Sequence, residues 1–331
     1  VFFEGARPYF SEEDAMVKEY RIHEGQLTPC EDHQGIAKVF ISPDVVERNY
    51  LEHTCKISPH NISSAMDPDE IGRMEFEDDH LMIIIKSPKN YSSSDNFLFR
   101  VTSVGVFLYK EQLIIIMNNQ ETSILEGRQV FKLATLHDAL LKILFGTIAH
   151  FLGHLKVINL LSDSLEQKIN TSMANEHLLN MFTIEKSLIY YLNGINSNSV
   201  VIEKLKVNAP KIGFSPENVA LLDDIAIENQ QCNKQAEIYS NILTGLNDAR
   251  GSIVNNNMNQ LIKQLTILSV VFMPLNVIAG VGGMSEFSMM TQGIPWPISY
   301  SIMSVGLVGV AFLTWWILNK FMNKTTKVKR R

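Results

Sequence analysis

Charge is missing from two long stretches of this chain. No Asp, Glu, Lys or Arg occurs from Gln264 to Ser285, and none from Phe287 to Asn319. At 1.5 Å rise per residue, about 20 apolar residues cross a hydrocarbon layer of roughly 30 Å. The two stretches therefore predict membrane spans near Leu261–Gly283 and Ile298–Leu318; buried core helices are seldom so long without a charge. Cysteine is scarce: the 3 present, Cys30, Cys55 and Cys232, are far apart and form no C-x-x-C unit, which points to a reducing compartment. The net charge of −6 argues against a nucleic-acid partner, which would want a basic patch. No G-x-x-x-x-G-K-[ST] loop is present, and no nucleophile–base set or metal triad stands out, so an enzyme is not expected. The opening "VFFEGARPYF" lacks a basic start followed by a long apolar core, so no secretory signal is expected there.

What is present fits a membrane protein with a large soluble part. Lys320–Arg331, "KFMNKTTKVKRR", is basic and free of acid, and Arg250 and Lys263 precede the first span. The connecting "EFSMMTQGIPWP" has no Lys or Arg. The excess of Lys and Arg on cytoplasmic flanks then predicts both termini inside and a short external loop. Trp315 and Trp316 lie near the end of the second span, where an aromatic belt belongs.

The soluble part reads as α+β. "IAKVFI" (Ile36–Ile41), "LMIIIK" (Leu81–Lys86), "FLFRVTSVGVFLYK" (Phe97–Lys110) and "QLIIIM" (Gln112–Met117) are β-branched and aromatic runs that predict strands. Short helices and a turn are expected between the first two. The acids there, Asp67–Glu70 and Glu75–Asp79, read as a solvated face rather than a cation site. Helices are expected over about Ala134–Ile169 and Asn175–Asn193. The first carries "HFLGH", with His150 and His154 at i, i+4, a spacing that can hold zinc. No Glu follows the first His and no third ligand is evident, so a surface or helix–helix role is expected.

Proline is also absent between Pro216 and Pro274. Ser215 is a good N-cap and Pro216 a good first helical residue. One helix of about 65 residues, about 100 Å long, is expected from there into the first span. Leu222, Ile225, Cys232, Ala236, Tyr239, Leu243, Leu246 and Ile253 recur at three- and four-residue spacings, interrupted by Asn229 and Arg250. Such a seam suits association with neighbouring helices.

The first span carries a polar stripe. Steps of three and four give Asn259, Ile262, Thr266, Ser269, Met273, Asn276 and Gly280, and three turns back lies Asp248. Polar groups in hydrocarbon are costly unless they face protein or water. They either glue helices together or line an aqueous path in a ring of identical chains. In a ring, Asp248 makes a band of carboxylates attractive to cations. Ile262 and Met273, with Leu265 adjacent, make apolar constrictions that can close by dewetting.

The arrangement resembles the CorA family of divalent-cation channels over essentially the whole chain. The specific match is "NQLIKQLTILSVVFMPLNVIAGVGGM", Asn259–Met284, with "FMPL" and "IAG" followed by "GM". The resemblance implies a homopentameric funnel with first spans around the pore and lipid outside. Its segments are a cytosolic α/β domain (1–133), a helical pair (134–213), a stalk helix (214–260) and a pore helix (261–284). An external loop (285–297), a second span (298–319) and a basic tail (320–331) follow. It implies an asparagine ring at Asn259, a gate at Ile262, Leu265 and Met273, and a stalk carboxylate ring at Asp248. Regulatory Mg²⁺ between subunits falls on Asp224, with Asp223 beside it, and Glu121 as the partner acid. The family ends its outer mouth in Gly-Met-Asn, where this chain has Gly283, Met284 and Ser285, with Glu286 following. A zinc-transporting branch, ZntB, has Gly-Ile-Asn. Mg²⁺ uptake gated by cytosolic Mg²⁺, with Co²⁺ or Ni²⁺ also carried, is the expected function in an inner membrane. A ZntB-like Zn²⁺ transporter and a non-conducting membrane sensor or scaffold are the alternatives.

Overall fold

The computed structural model describes residues 17–30, 35–92, 95–118, 132–171 and 175–328. They fall into two compact units, Val1–Asn247 and Asp248–Arg331.

The first unit is built on a seven-stranded sheet. Its strands are β1 (Val17–His23), β2 (Gln26–Cys30), β3 (Ala37–Ile41), β4 (Arg73–Phe76), β5 (Leu81–Pro88), β6 (Val101–Leu108) and β7 (Leu113–Met117). The spatial order is β2-β1-β3-β7-β6-β5-β4. Among the described residues only the β3–β7 pair is parallel, with Val39 opposite Ile115. The isoleucine-rich strands are explained by burial on both faces. Ile83, Ile85, Val104, Val106 and Ile115 belong to one apolar layer. Their neighbours Met82, Ile84, Phe107, Ile114 and Ile116 belong to the other. Side chains alternate across a strand, so a strand with two buried faces reads as a continuous apolar run.

Helices α1 (Val45–His53) and α2 (Pro59–Met66) cover the second layer. Asp44 accepts from the Glu47 amide while Glu47 accepts from the Asp44 amide, a reciprocal cap that starts α1. Gly105 on β6 lets α2 come close: a Cβ there would lie 3.0 Å from the Phe107 ring and closer still to Ala65. The first layer is covered by α3 (Leu136–Thr171) and α4 (Asn175–Val207). A short α5 (Ala209–Ile212) ends at Gly213, whose φ of 89° is left-handed, and turns the chain into α6 (Pro216–Gly282). Ser215 and Asn218 cap α6 reciprocally, each side chain accepting from the other's amide at 3.2 and 3.1 Å.

One expectation is corrected here. Helix α4 runs to Val207 rather than stopping near Asn193. The α6 seam does pack against neighbouring helices, and these are α3 and α4 of its own chain. Leu222, Ile225, Cys232, Ala236 and Leu243 are buried in the layer formed with α3 and α4. Polar pairs hold α4 and α6 antiparallel in constant register. Asn229 donates to Ser199 at 2.7 Å, Asn233 donates to Asn196 at 2.5 Å, and Thr244 donates to Glu185 at 2.8 Å. The side chain of Ile253 lies outside the described residues.

The second unit holds the rest of α6, a short α7 (Ser285–Met290) within the expected external loop, and α8 (Trp296–Val328). Among the described residues three helices are long and apolar enough to cross a membrane, those at Leu136–Gln167, Pro216–Gly282 and Trp296–Ile317. The first of these is core, since Leu140, Leu144, Phe151, Leu155 and Ile158 are fully packed inside the α/β unit.

Candidate functional site

The stripe residues Asn259, Ile262, Thr266, Ser269, Met273, Asn276 and Gly280 all lie on one continuous helix, α6, and all are exposed in the single chain. Ile262 is 53% exposed and Met273 69%, a large apolar exposure for residues on a polar face. Leu265 and Asp248 are exposed as well. Thr266 donates to the Ile262 carbonyl at 2.8 Å, satisfying its hydroxyl locally.

The covered side of the same helix is elsewhere. Ile267, Val271, Pro274, Leu275 and Ile278 are partly covered and Gly282 is buried. With 3.6 residues per turn, their mean direction lies roughly 180° from that of the stripe. A Cβ at Gly282 would lie 2.9 Å from Met303 Cε on α8, and closer to its Sδ, so the glycine permits close approach of the two spans. This explains the small residue in a position where an aromatic side chain would collide with α8.

At the end of α6, the Gly283 amide donates to the Ala279 carbonyl at 3.0 Å and the Met284 amide to Val281 at 3.1 Å. Met284 is exposed, Ser285 opens α7, and Glu286 follows within it. Glycine and methionine thus form the turn between two helices, and Ser285 stands at a helix start.

Of the three acids read as regulatory, Asp223 is already paired, with Lys206 at 2.7 Å. Both line a cavity of about 630 Å³ between α4 and α6 that also takes in Ser199, Asn229 and Gln230. The sequence reading missed Lys206, which sits 17 residues away on another helix. Asp224 is exposed on the adjoining face. Glu121 lies outside the described residues.

The acidic loops are tied to bases within the domain. Arg73 pairs with Glu70 and, at 3.1 Å, with Glu75; Lys56 pairs with Asp79 at 2.8 Å. Lys86, buried, donates from Nζ to the Pro68 carbonyl at 2.6 Å and to Ser103 at 2.9 Å. No group of three or more His, Cys, Asp or Glu is placed to hold a metal among the described residues.

Three histidines carry an acid sensitivity. Burial pushes His154 down to about 4 from an ordinary 6.5, with His150 beside it adding to the shift. Burial also lowers His150 and His80. The folded state resists protonation while the unfolded chain accepts protons near pH 6.5, so this stability is intact above that pH and lost as pH falls towards 4. The thermal midpoint of the full-length protein is expected to fall across that window. His154→Gln should flatten part of the fall; an unchanged slope would assign the acid lability to other groups.

The comparisons with known proteins agree with this architecture. The chain is 25% identical over 284 residues to the cobalt/magnesium transport protein CorA of Methanocaldococcus jannaschii, covering 82% of this chain and 87% of that protein. It is 22% identical over 284 residues to the protein of the same name from Thermotoga maritima, covering 84% and 80%. The complete structure of the CorA magnesium transporter from M. jannaschii matches with a TM-score of 0.73 at 20% identity, over 91% of this chain and 96% of that one. The family model described as CorA-like Mg2+ transporter protein matches residues 39–320, and the chain belongs to that family.

Proposed function

We propose that this chain is one subunit of a homopentameric channel that admits Mg²⁺, and with it Co²⁺, through a path lined by the α6 stripe. One observation carries the reading. The face of α6 that bears Asn259, Thr266, Ser269 and Asn276 is exposed among the described residues and lies opposite the partly covered face that ends at Gly282, where α8 comes close. Amide and hydroxyl groups left in hydrocarbon cost several kcal/mol each. Copies of α6 arranged around an axis turn those groups onto water and leave α8 towards lipid. Both relatives are named for cobalt and magnesium transport, which supports the choice of ion.

Amides and hydroxyls cannot strip Mg²⁺ of its water, but they can hydrogen-bond the shell that the ion gives up reluctantly. The potential drives entry from the Ser285 end towards the Asp248 end, where five carboxylates draw cations on. This reading places both termini and the α/β unit in the cytoplasm, the first span from 261 and the external segment at 285–297. Ile262, Leu265 and Met273 close the path when it dewets. Cytosolic Mg²⁺ between subunits at Asp224, with Asp223 and Glu121 completing the set, holds the ring closed. Its loss lets the carboxylates repel.

Flux into liposomes tests the proposal. Mg²⁺ and Co²⁺ are expected to enter. Entry of Zn²⁺ with indifference to Mg²⁺ would establish the zinc reading instead, and no flux of any divalent ion would leave a sensor or scaffold. In the same assay Asp223→Asn, Asp224→Asn is expected to relieve inhibition by Mg²⁺ on the cytosolic side, and Ser285→Asn to shift the order among the three ions.

A further inference from the structure

His150 and His154 stand on successive turns of α3, and their ring centroids are 4.4 Å apart with planes at 72°. Two imidazoles bound to one ion at about 2.0–2.1 Å each place their centroid about 3.2 Å from it. Ligands roughly 90° apart would then have centroids about 4.5 Å apart, so the observed spacing suits cis positions of an octahedral or square site. A second observation fixes one ring. His154 Nδ1 lies 2.6 Å from the hydroxyl of Tyr191 on α4. Tyr191 is itself buried and braced edge-on by Phe99 and Phe151. If Nδ1 carries the proton and donates it, the lone pair falls on Nε2, the arrangement that an outer partner gives a metal-bound histidine. His150 Nδ1 is buried and has no hydrogen-bond partner among the described residues.

We propose that His150 and His154, with Tyr191 holding the second ring, form a two-imidazole site on the α/β unit for a divalent transition-metal ion, with water completing its shell. Imidazole suits Cu²⁺, Ni²⁺ and Zn²⁺ and is a poor ligand for Mg²⁺, so the site distinguishes ions that the stalk carboxylates do not. The acids that hold Mg²⁺ in the proposed function take no part, and the inference stands whether or not the pore conducts.

The test is metal binding by the full-length protein in detergent. Cu²⁺ added at one ion per chain is expected to give an electron paramagnetic resonance spectrum with nitrogen splitting from two imidazoles. A spectrum of oxygen ligands alone overturns the proposal and requires no variant. Ni²⁺ binding is expected to survive a large excess of Mg²⁺ and to weaken at least tenfold in His150→Gln and in His154→Gln. Tyr191→Phe, which keeps both ligands, should weaken it about tenfold, as loss of an outer partner does. Displacement of Ni²⁺ by Mg²⁺, or equal binding in both histidine variants, assigns the ion to carboxylates and removes the site.

Discussion

Asn276→Leu is expected to lower divalent-cation influx at least tenfold while leaving the amount of assembled protein unchanged. Asn276 is exposed on the stripe, one turn from Met273. In a five-fold ring its replacement removes five amides at one level. A hydrogen bond to a charged partner contributes about 1.5–3 kcal/mol. A rise of about 1.4 kcal/mol in the transit barrier is already a factor of ten in rate. Leucine also extends the apolar zone next to Met273, which favours dewetting. Leu268→Val is the matched control, because Leu268 is likewise exposed but lies off the stripe. Flux in proteoliposomes, normalised to reconstituted protein, decides the matter. Full flux in Asn276→Leu would mean that the stripe joins helices and lines no path. A fall of similar size in Leu268→Val would mean that the assembly, and not the lining, had been damaged.

Much of this architecture was legible because its signals are local. The long uncharged runs, the Ser215–Pro216 start and the three- and four-residue spacing of the stripe need no knowledge of distant contacts. Strands β5 and β7 were visible because both their faces are buried and every residue is apolar or nearly so. The strands that escaped notice are short or mixed. β1, "VKEYRIH", interleaves charges with apolar residues at a sheet margin, and β4, "RMEF", has only 4 residues. The close approach of α8 to α6 at Gly282 was not legible, since no spacing in the sequence says where Met303 will meet it. Neither was the pairing of Asp223 with Lys206, which depends on the register of α4 against α6.

The end of α4 was misplaced for an instructive reason. Gly194, Asn196, Ser197, Asn198 and Ser199 look like a loop, because small polar residues favour turns over helix interiors. Each instead has a tertiary task. Asn196 accepts from Asn233, and Ser199 accepts from Asn229. The Gly72 amide donates to Ser197 at 2.7 Å. Gly194 brings α4 against β5 and β6, where a Cβ would come within 3.3 Å of Lys86 Cβ and Val101 Cγ1. What local propensity counts as weakness is a row of partners for other elements.

Asn198 is the strongest case, and Asn198→Ala is expected to destabilise the full-length protein by about 2–6 kcal/mol. β4 pairs with β5 only as far as Arg73 opposite Ile84, so Lys86 on β5 projects its backbone beyond the end of the neighbouring strand. Asn198 takes that strand's place. Its Oδ1 accepts from the Lys86 amide and its Nδ2 donates to the Lys86 carbonyl, both at 2.7 Å. Asn198 is only 2% exposed, so no water can replace it. Removing it leaves one donor and one acceptor buried, each costing about 1–3 kcal/mol. That is a large part of a typical stability of about 5–15 kcal/mol. Thermal unfolding should show a midpoint well below wild type. Asn196→Ala, which loses an exposed bond on the same helix, should stay within about 0.5 kcal/mol. Asn198→Leu separates the two contributions, because it fills the space without serving the backbone. If the leucine variant matched wild type, packing alone would account for the residue and the strand-replacing bonds would contribute nothing. If it fell with the alanine variant, a single side chain of α4 completes the sheet that carries the long helix.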